Sequence, residues 1–365
     1  MRKFSLFLAL LLSVPLVGYA QEPDLLASGQ LGKPIILKGE IDEFTIDATG
    51  EYILEGVVKG NINFSLGPND RVLLRGKGKH SVLQGIPRVK KKANGETRKK
   101  NGKAKKEERH VSHIQASGKD LPAGAMVGLR DFKIKGHRQN AMKLGGKAEK
   151  LVRNVNVVNH TRRIGGHRQY GAGGINAGEN SSVEGCRLKT GDDAIKLTEP
   201  YSFASDLDIE LRGNGTAIQL GWGKRGNGAY HVAQDIRVSG WTDANTGNDS
   251  NRAGRSIIGG VFRGKREVSN IQITGLRVKG NRWGHVIKII ADRGAVIDGV
   301  VIKGRLLDGI RNASARNKAI VLIARRGGKI KNVVIDLGDE AAKKKYHHIE
   351  GVADNQISFV RRSRK

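Results

Sequence analysis

A four-residue pattern that returns down the chain is what most restricts its fold. A small or apolar residue is followed by Ile, Met or Val, then a polar residue, then Leu or Ile. It reads Ala141-Met142-Lys143-Leu144, Ala194-Ile195-Lys196-Leu197, Ala217-Ile218-Gln219-Leu220 and Val286-Ile287-Lys288-Ile289, with a looser copy at Ala319-Ile320-Val321-Leu322. A second pattern, polar and then alternately apolar, runs between these copies. Its markers are Asn154, Gly185, Asp206, Asp235, Asn270 and Asn332, spaced by 31, 21, 29, 35 and 62 residues, with Gly299 dividing the last gap. Units of this length, each made of short strands and Gly/Asn turns, signal a solenoid. Alternation with a period of two within each unit specifies strands rather than helices.

The expected fold is an all-β, right-handed, single-stranded parallel β-helix. Its coils stack their inward side chains in a narrow core and expose a long outer face. Leucine-rich repeats are excluded because their Leu-x-x-Leu-x-Leu frame is absent. A β-sandwich with a second domain leaves the matching tetrads unexplained. Composition agrees with many short strands and tight turns, with 50 Gly in 365 residues and 5% aromatics. Tyr52-Ile53-Leu54, Ile62-Asn63-Phe64 and Val72-Leu73-Leu74 are expected strands of the first coils, and residues 329–360 are expected to close the far end.

Residues 1–20 read as a signal peptide, with Arg2 and Lys3 before an apolar run and Gly18-Tyr19-Ala20 as the cleavage site. The run is short for a membrane span. The expectation is an exported protein, periplasmic or extracellular, with residues 21–365 forming one domain and a monomer as the default. Cys186 is the only cysteine, so no intrachain disulfide can form, and its alternating apolar setting makes it a buried small hydrophobe. Net charge is +30. Residues 88–109 hold eleven Lys/Arg against three acids and read as a disordered basic loop. The remaining chain is basic too, which favours polyanionic partners. For an exported protein these are acidic polysaccharides, lipopolysaccharide or extracellular nucleic acid. Nucleic acid is not expected, because the basic loop lacks interleaved aromatics for stacking.

Only one tetrad is headed by a pair of acids, in Gly191-Asp192-Asp193-Ala194-Ile195-Lys196-Leu197. Neighbouring strand residues point to opposite faces, so the pair belongs at the start of the strand, where Gly191 permits a turn. Two adjacent carboxylates raise each other's proton affinity, which suits general acid and base work. Inverting glycoside hydrolysis sets two carboxyl groups roughly 6.5–9.5 Å apart. Lys196 is placed to hold a substrate oxygen or charge. Elsewhere an Asp-Asp dipeptide is more often a solvated turn or a cation ligand. A further echo links Gly136-His137-Arg138-Gln139-Asn140, Gly166-His167-Arg168-Gln169-Tyr170 and Gly280-Asn281-Arg282-Trp283-Gly284-His285. With the coils in register these turns line one edge of one sheet. That makes Asn140, His167, Arg168 and His285 candidate substrate-binding residues, or ordinary exposed turns.

The stretch from Gly191-Asp192-Asp193-Ala194-Ile195-Lys196 to Ala217-Ile218-Gln219-Leu220-Gly221-Trp222 resembles the β-helical glycoside hydrolases of the pectin-lyase-like fold. The nearest likeness is to the dextranase and isopullulanase family, and a more distant one is to the polygalacturonases. It covers residues 173–222. By this resemblance Asp192 is implied as the general acid and Asp193 as part of the base machinery. Gln219 and Trp222 are implied as cleft residues, with Trp222 a sugar-stacking platform or a side chain packed under a loop. The family's third Asp, in an Asp-Gly-Ile segment, is replaced here by Gly173-Gly174-Ile175. The polygalacturonase Gly-His-Gly is replaced by Gly221-Trp222-Gly223. Glu179 and Asp208 are the acids available to compensate.

Three readings follow. The first is a secreted, inverting glycoside hydrolase that acts on an acidic polysaccharide and needs no cofactor. The second is a polysaccharide lyase on the same fold, with Arg168, Lys196 or Arg255 as base or neutralising group and Ca²⁺ held by Asp192 and Asp193. The third is a non-catalytic, polysaccharide-binding solenoid.

Overall fold

The computed structural model describes residues 31–86, 99–100, 103–104, 112–116, 120–136, 140–159, 173–213, 215–223, 225–242, 255–280, 282–310 and 318–360. The leader at 1–20, most of the basic segment 88–109, and His167 and Arg168 lie outside them. Among the described residues there is no α-helix, and none is long and apolar enough to cross a membrane. Apart from one small antiparallel pair, Lys99–Lys100 with Lys103–Ala104, the strand pairings are parallel.

Each coil contributes to three ladders. The first face stacks Ile114–Ala116, Met142–Lys143, Ile175–Asn176, Ile195–Lys196, Ile218–Gly223, Ser256–Arg263, His285–Asp292, Ile320–Arg325 and His347–Glu350. All the tetrads lie here. Their second residues are in register, Met142 on Ile175, Ile195, Ile218, Ile258, Ile287 and Ile320 in turn. All are fully buried. Each such side chain contributes roughly 1.5–3 kcal/mol of burial, but only against the neighbour above and below. The tetrad therefore recurs because a coil cannot bury its own Ile.

The second and third faces begin as separate short strands, Ser181–Glu184 and Arg187–Thr190 for example, and merge in later coils into long ones such as Ser202–Gly213 and Glu267–Val278. The bend between the two faces falls on the markers of the second sequence pattern. Asn154, Gly185, Asp206, Asp235, Asn270, Gly299 and Asn332 all have φ between 48° and 72°. Left-handed backbone costs most L-residues about 1–2 kcal/mol, and Gly, Asn and Asp less. Two of the corner amides also reach back one coil, Asn154 Nδ2 donating to Asp131 Oδ1 at 3.1 Å and Asn332 Nδ2 to Asp298 Oδ1 at 2.7 Å.

The N-terminal coils contain the expected strands, within Gly50–Phe64 and Arg71–Gly76. The far end finishes with His347–Glu350 and Ile357–Phe359, where the rings of His347 and Phe359 stack at 4.0 Å. Cys186 sits in the core, and burial pushes its thiol up to about 12. It is an inert hydrophobe rather than a nucleophile.

The corner predicts a specific mutational order. Asn270→Val should destabilise the chain by about 1–2 kcal/mol relative to Asn270→Gly, which keeps the φ of 52° accessible. Urea midpoints of the two variants check this.

Candidate active-site face

Outward residues of the first face form a polar row. Gln115 lies beside Lys143 and Lys143 beside Asn176, then Lys196 beside Gln219, Gln219 beside Gly259 and Gly259 beside Lys288. The row is reachable from solvent at Gln115, Lys143, Asn176 and Lys196, and buried at Gln219 and Lys288. The accessible stretch thus spans the earlier coils and ends where the acid pair stands. Trp222 marks that end. A bulge between Gln219 and Gly221 shifts the register, and a paired turn with Arg225 holds the indole outward at 56% exposure.

A second row lies two residues ahead of the inward Ile. Backbone bonds and strand register bring Asn140, Gly173, Asp193, Thr216, Ser256 and His285 into line. This row contains the turn edge expected from the sequence echo, and it places Asn140 and His285 on the same line as the acid pair. His285 is nevertheless buried, its Nδ1 donating to the Lys318 carbonyl at 2.7 Å. Gln219 is buried too, at 3% exposure. Both sit inside the wall of the solenoid rather than on its surface.

The two acids occupy different environments. Asp192 and Asp193 lie in the bend before Ile195–Lys196, and Thr190 Oγ1 fixes that bend by donating to the Asp192 carbonyl at 2.9 Å. Asp192 is half-buried, whereas Asp193 is only 2% exposed. The Asp193 carboxylate accepts from the Thr216 backbone N–H at 3.1 Å through Oδ1 and faces the Lys196 ammonium at 3.2 Å through Oδ2. The Lys196 side chain is itself only 13% exposed. A buried ion pair of this kind holds geometry: removing one partner of such a pair costs about 3–5 kcal/mol.

Gly173, in place of a third acid, is fixed by space. A Cβ there would stand 2.2 Å from Asn140 Oδ1. The glycine carbonyl is also held by Asn159 Nδ2 at 2.6 Å. Of the two acids proposed to compensate, Asp208 lies on the third face, ion-paired with Arg187 at 3.8 Å and with Arg237. It cannot serve the first face. Glu179 lies in the turn that follows Ile175–Asn176, on the first face's other edge.

That edge carries a group that sequence reasoning missed. Glu199 stands three residues after Lys196, as Glu179 stands three after Asn176, so the coil repeat itself was the available signal. Burial first, and then the charge of Glu179, raises the Glu199 pKa. Lys150 is nearby and buried, its ammonium donating to the Gly146 carbonyl at 2.6 Å, and burial pushes it down to about 8. Among the described residues no group of three His, Cys, Asp or Glu could hold a metal ion.

No family model matches the chain, and no curated protein sequence does. Solved structures do match. Dex49A from Penicillium minioluteum aligns at 15% identity with a TM-score of 0.53, covering 85% of this chain and 54% of that one. The chain thus spans about half the length of that structure. The likeness is one of fold: parallel strands stacked coil on coil, as the resemblance read from residues 173–222 implies.

Two outcomes follow. Gly173→Ala should destabilise by about 1–3 kcal/mol through overpacking against Asn140, and much of that loss should disappear in an Asn140→Ala background, a coupling readable by a double-mutant cycle of thermal unfolding. Lys150 gives a pH effect of definite sign. The unfolded chain holds this proton up to the ordinary lysine value and the folded chain only to about 8, so the unfolded state binds more protons between them. The contribution to stability should rise by up to about 3 kcal/mol from pH 8 towards pH 10. Lys150→Met should lack that rise in denaturant titrations at each pH.

Proposed function

We propose that this protein is an exported, carbohydrate-active glycoside hydrolase built as one right-handed parallel β-helix over residues 21–365, with residues 1–20 as its signal peptide. The observation that carries this reading is the divided acid pair: a half-buried Asp192 beside a buried Asp193 that is locked to Lys196 and the Thr216 N–H. Environments that separate two carboxylates are how acid and base roles are assigned. Asp192 is the group placed to protonate a leaving glycosidic oxygen. Asp193 is the remaining carboxylate for activating water in an inverting displacement, and a substrate anion that draws the Lys196 ammonium away frees its Oδ2. This favours an acidic polysaccharide lying across Lys143, Asn176 and Lys196, with Trp222 as the platform at the end of that stretch. The fold shared with Dex49A and the motif likeness to the dextranase and isopullulanase family support a glycan substrate.

A second reading, a non-catalytic glycan-binding solenoid, is favoured by one observation: Asn140 fills the space beside Gly173 where the resembling enzymes carry a third acid. One experiment decides between the readings. The full chain is incubated with neutral, uronate and sulfated polysaccharides, and both reducing ends and ultraviolet absorbance of unsaturated products are followed. Hydrolysis predicts reducing ends without absorbance, on a uronate or sulfated glycan, with a loss of about 10²-fold or more in Asp192→Asn. Absorbing products establish the lyase reading, and a chelator then tests for Ca²⁺. Binding with neither product establishes the non-catalytic solenoid.

A further inference from the structure

The third face carries a groove that the acid pair does not use. Its cavity is about 590 Å³ and runs from Asn156 on one coil to Leu307, five coils further on. Five steps of ~4.8 Å make it roughly 24 Å long. Strand register lines it with a stacked row, Asn156 on Arg187 on Asp208 on Arg237 on Arg277, and Arg305 carries the same row one coil further, outside the lining. A parallel row two residues on runs from Val158 through Lys189 and Glu210 to Ser239, and Lys279 and Leu307 continue it.

Charge is distributed unevenly along these rows. In the middle the cations are neutralised: Lys189 pairs with Glu210 at 2.9 Å, and Arg237 with Asp206 at 2.7 Å and also with Asp208. Towards Leu307 the balance changes: the acid there, Asp308, accepts from the Gly280 N–H at 2.5 Å and is not ion-paired with a groove cation. Arg277, Lys279 and Arg305 are exposed, and no acid of the described residues pairs with them. The groove thus presents unpaired cations at its Leu307 end, Arg277 and Lys279 on one coil and Arg305 on the next, with the hydrogen-bonding side chains of Asn156 and Ser239 further along it.

We propose that this groove is a second binding site, for a linear anionic polysaccharide whose sulfate or carboxylate groups face Arg277, Lys279 and Arg305. The chemistry favours a glycan over a nucleic acid. Sequence-tolerant binding of single strands stacks successive bases on aromatic side chains, and no aromatic lines the groove. The one exposed ring at its edge is Trp241, in register with Arg212, a lone platform suited to a sugar ring. The inference rests on the protein being a glycan binder, but not on its being a hydrolase.

The test measures binding of the full chain to dextran sulfate, polygalacturonate, neutral dextran and a single-stranded oligothymidylate of matched charge, at several salt concentrations. The Arg277→Ala/Lys279→Ala/Arg305→Ala variant should bind dextran sulfate or polygalacturonate, whichever the wild type prefers, about tenfold more weakly, the effect of three exposed ionic contacts. It should also show a shallower salt dependence. Neutral dextran should not report on the groove. A control that removes equal charge elsewhere, Lys33→Ala/Lys38→Ala/Lys79→Ala, should change affinity less than about twofold. Asp192→Asn, which tests the proposed active site, should leave this binding unchanged. The groove is overturned if the control loses as much as the groove variant, if neither anionic glycan binds, or if Asp192→Asn abolishes binding. Equal or tighter binding of the oligothymidylate overturns the assignment to a glycan.

Discussion

In-register stacking of parallel coils is the constraint on which everything else in this molecule depends. Each coil sits one strand spacing, ~4.8 Å, above the last, and its backbone groups are satisfied by the coils on either side. A residue's chemical neighbours are therefore the residues at the same position one coil away. Inward rows have to be apolar and of similar size, and Met142 through Ile320 meet that demand. Outward rows are free of it, so function accumulates there as rows rather than as clusters. Where register slips, as between Gln219 and Gly221, a side chain is re-aimed, and Trp222 turns outward.

The same geometry explains why one acid is accessible and its neighbour is not. Asp192 and Asp193 occupy a bend, but the strand that follows commits Asp193 to the row shared with Gly173 and Thr216. Its carboxylate there is surrounded by protein, and burial is tolerable only because a backbone N–H and the Lys196 ammonium meet it. Lys196 takes its position from the tetrad, as the outward residue between Ile195 and Leu197. Alternation alone would put residues three apart on opposite faces, so it is the bend before Ile195–Lys196 that lets the Asp193 carboxylate reach the Lys196 ammonium.

The sequence revealed the coil repeat almost completely, because both of its signals are local. A tetrad states its own burial pattern, and a Gly, Asn or Asp at a left-handed corner states its own backbone conformation. It revealed less of the site. His285 and Gln219 carry suitable chemistry at suitable positions, yet whether an outward residue is open depends on what lies over it, which no short window encodes. Asp208 was equally illegible as a helper, since ladder assignment decides which face an acid serves. The groove on the third face was least visible of all. Arg305 stands 28 residues after Arg277, and only register sets it beside the Arg277 and Lys279 pair.

Gly173 shows how far a row couples its members. The glycine reads in sequence as a missing acid, yet the space is not vacant: Asn140, one coil back in the same row, has its amide oxygen there. Asn159 holds the glycine carbonyl from a third position. A carboxylate at 173 would meet Asn140 before it met substrate, so the two residues have to be considered as one unit. Under the proposed hydrolase function, that places the burden of chemistry on the Asp192 and Asp193 pair. Because Asp193 already faces the Lys196 ammonium at 3.2 Å, the same proposal ties activity to a substrate able to compete for that ammonium. On that proposal an anionic glycan meets the condition and a neutral one does not, so the pairing of Gly173 with Asn140 bears on the proposed substrate as well as on the proposed chemistry.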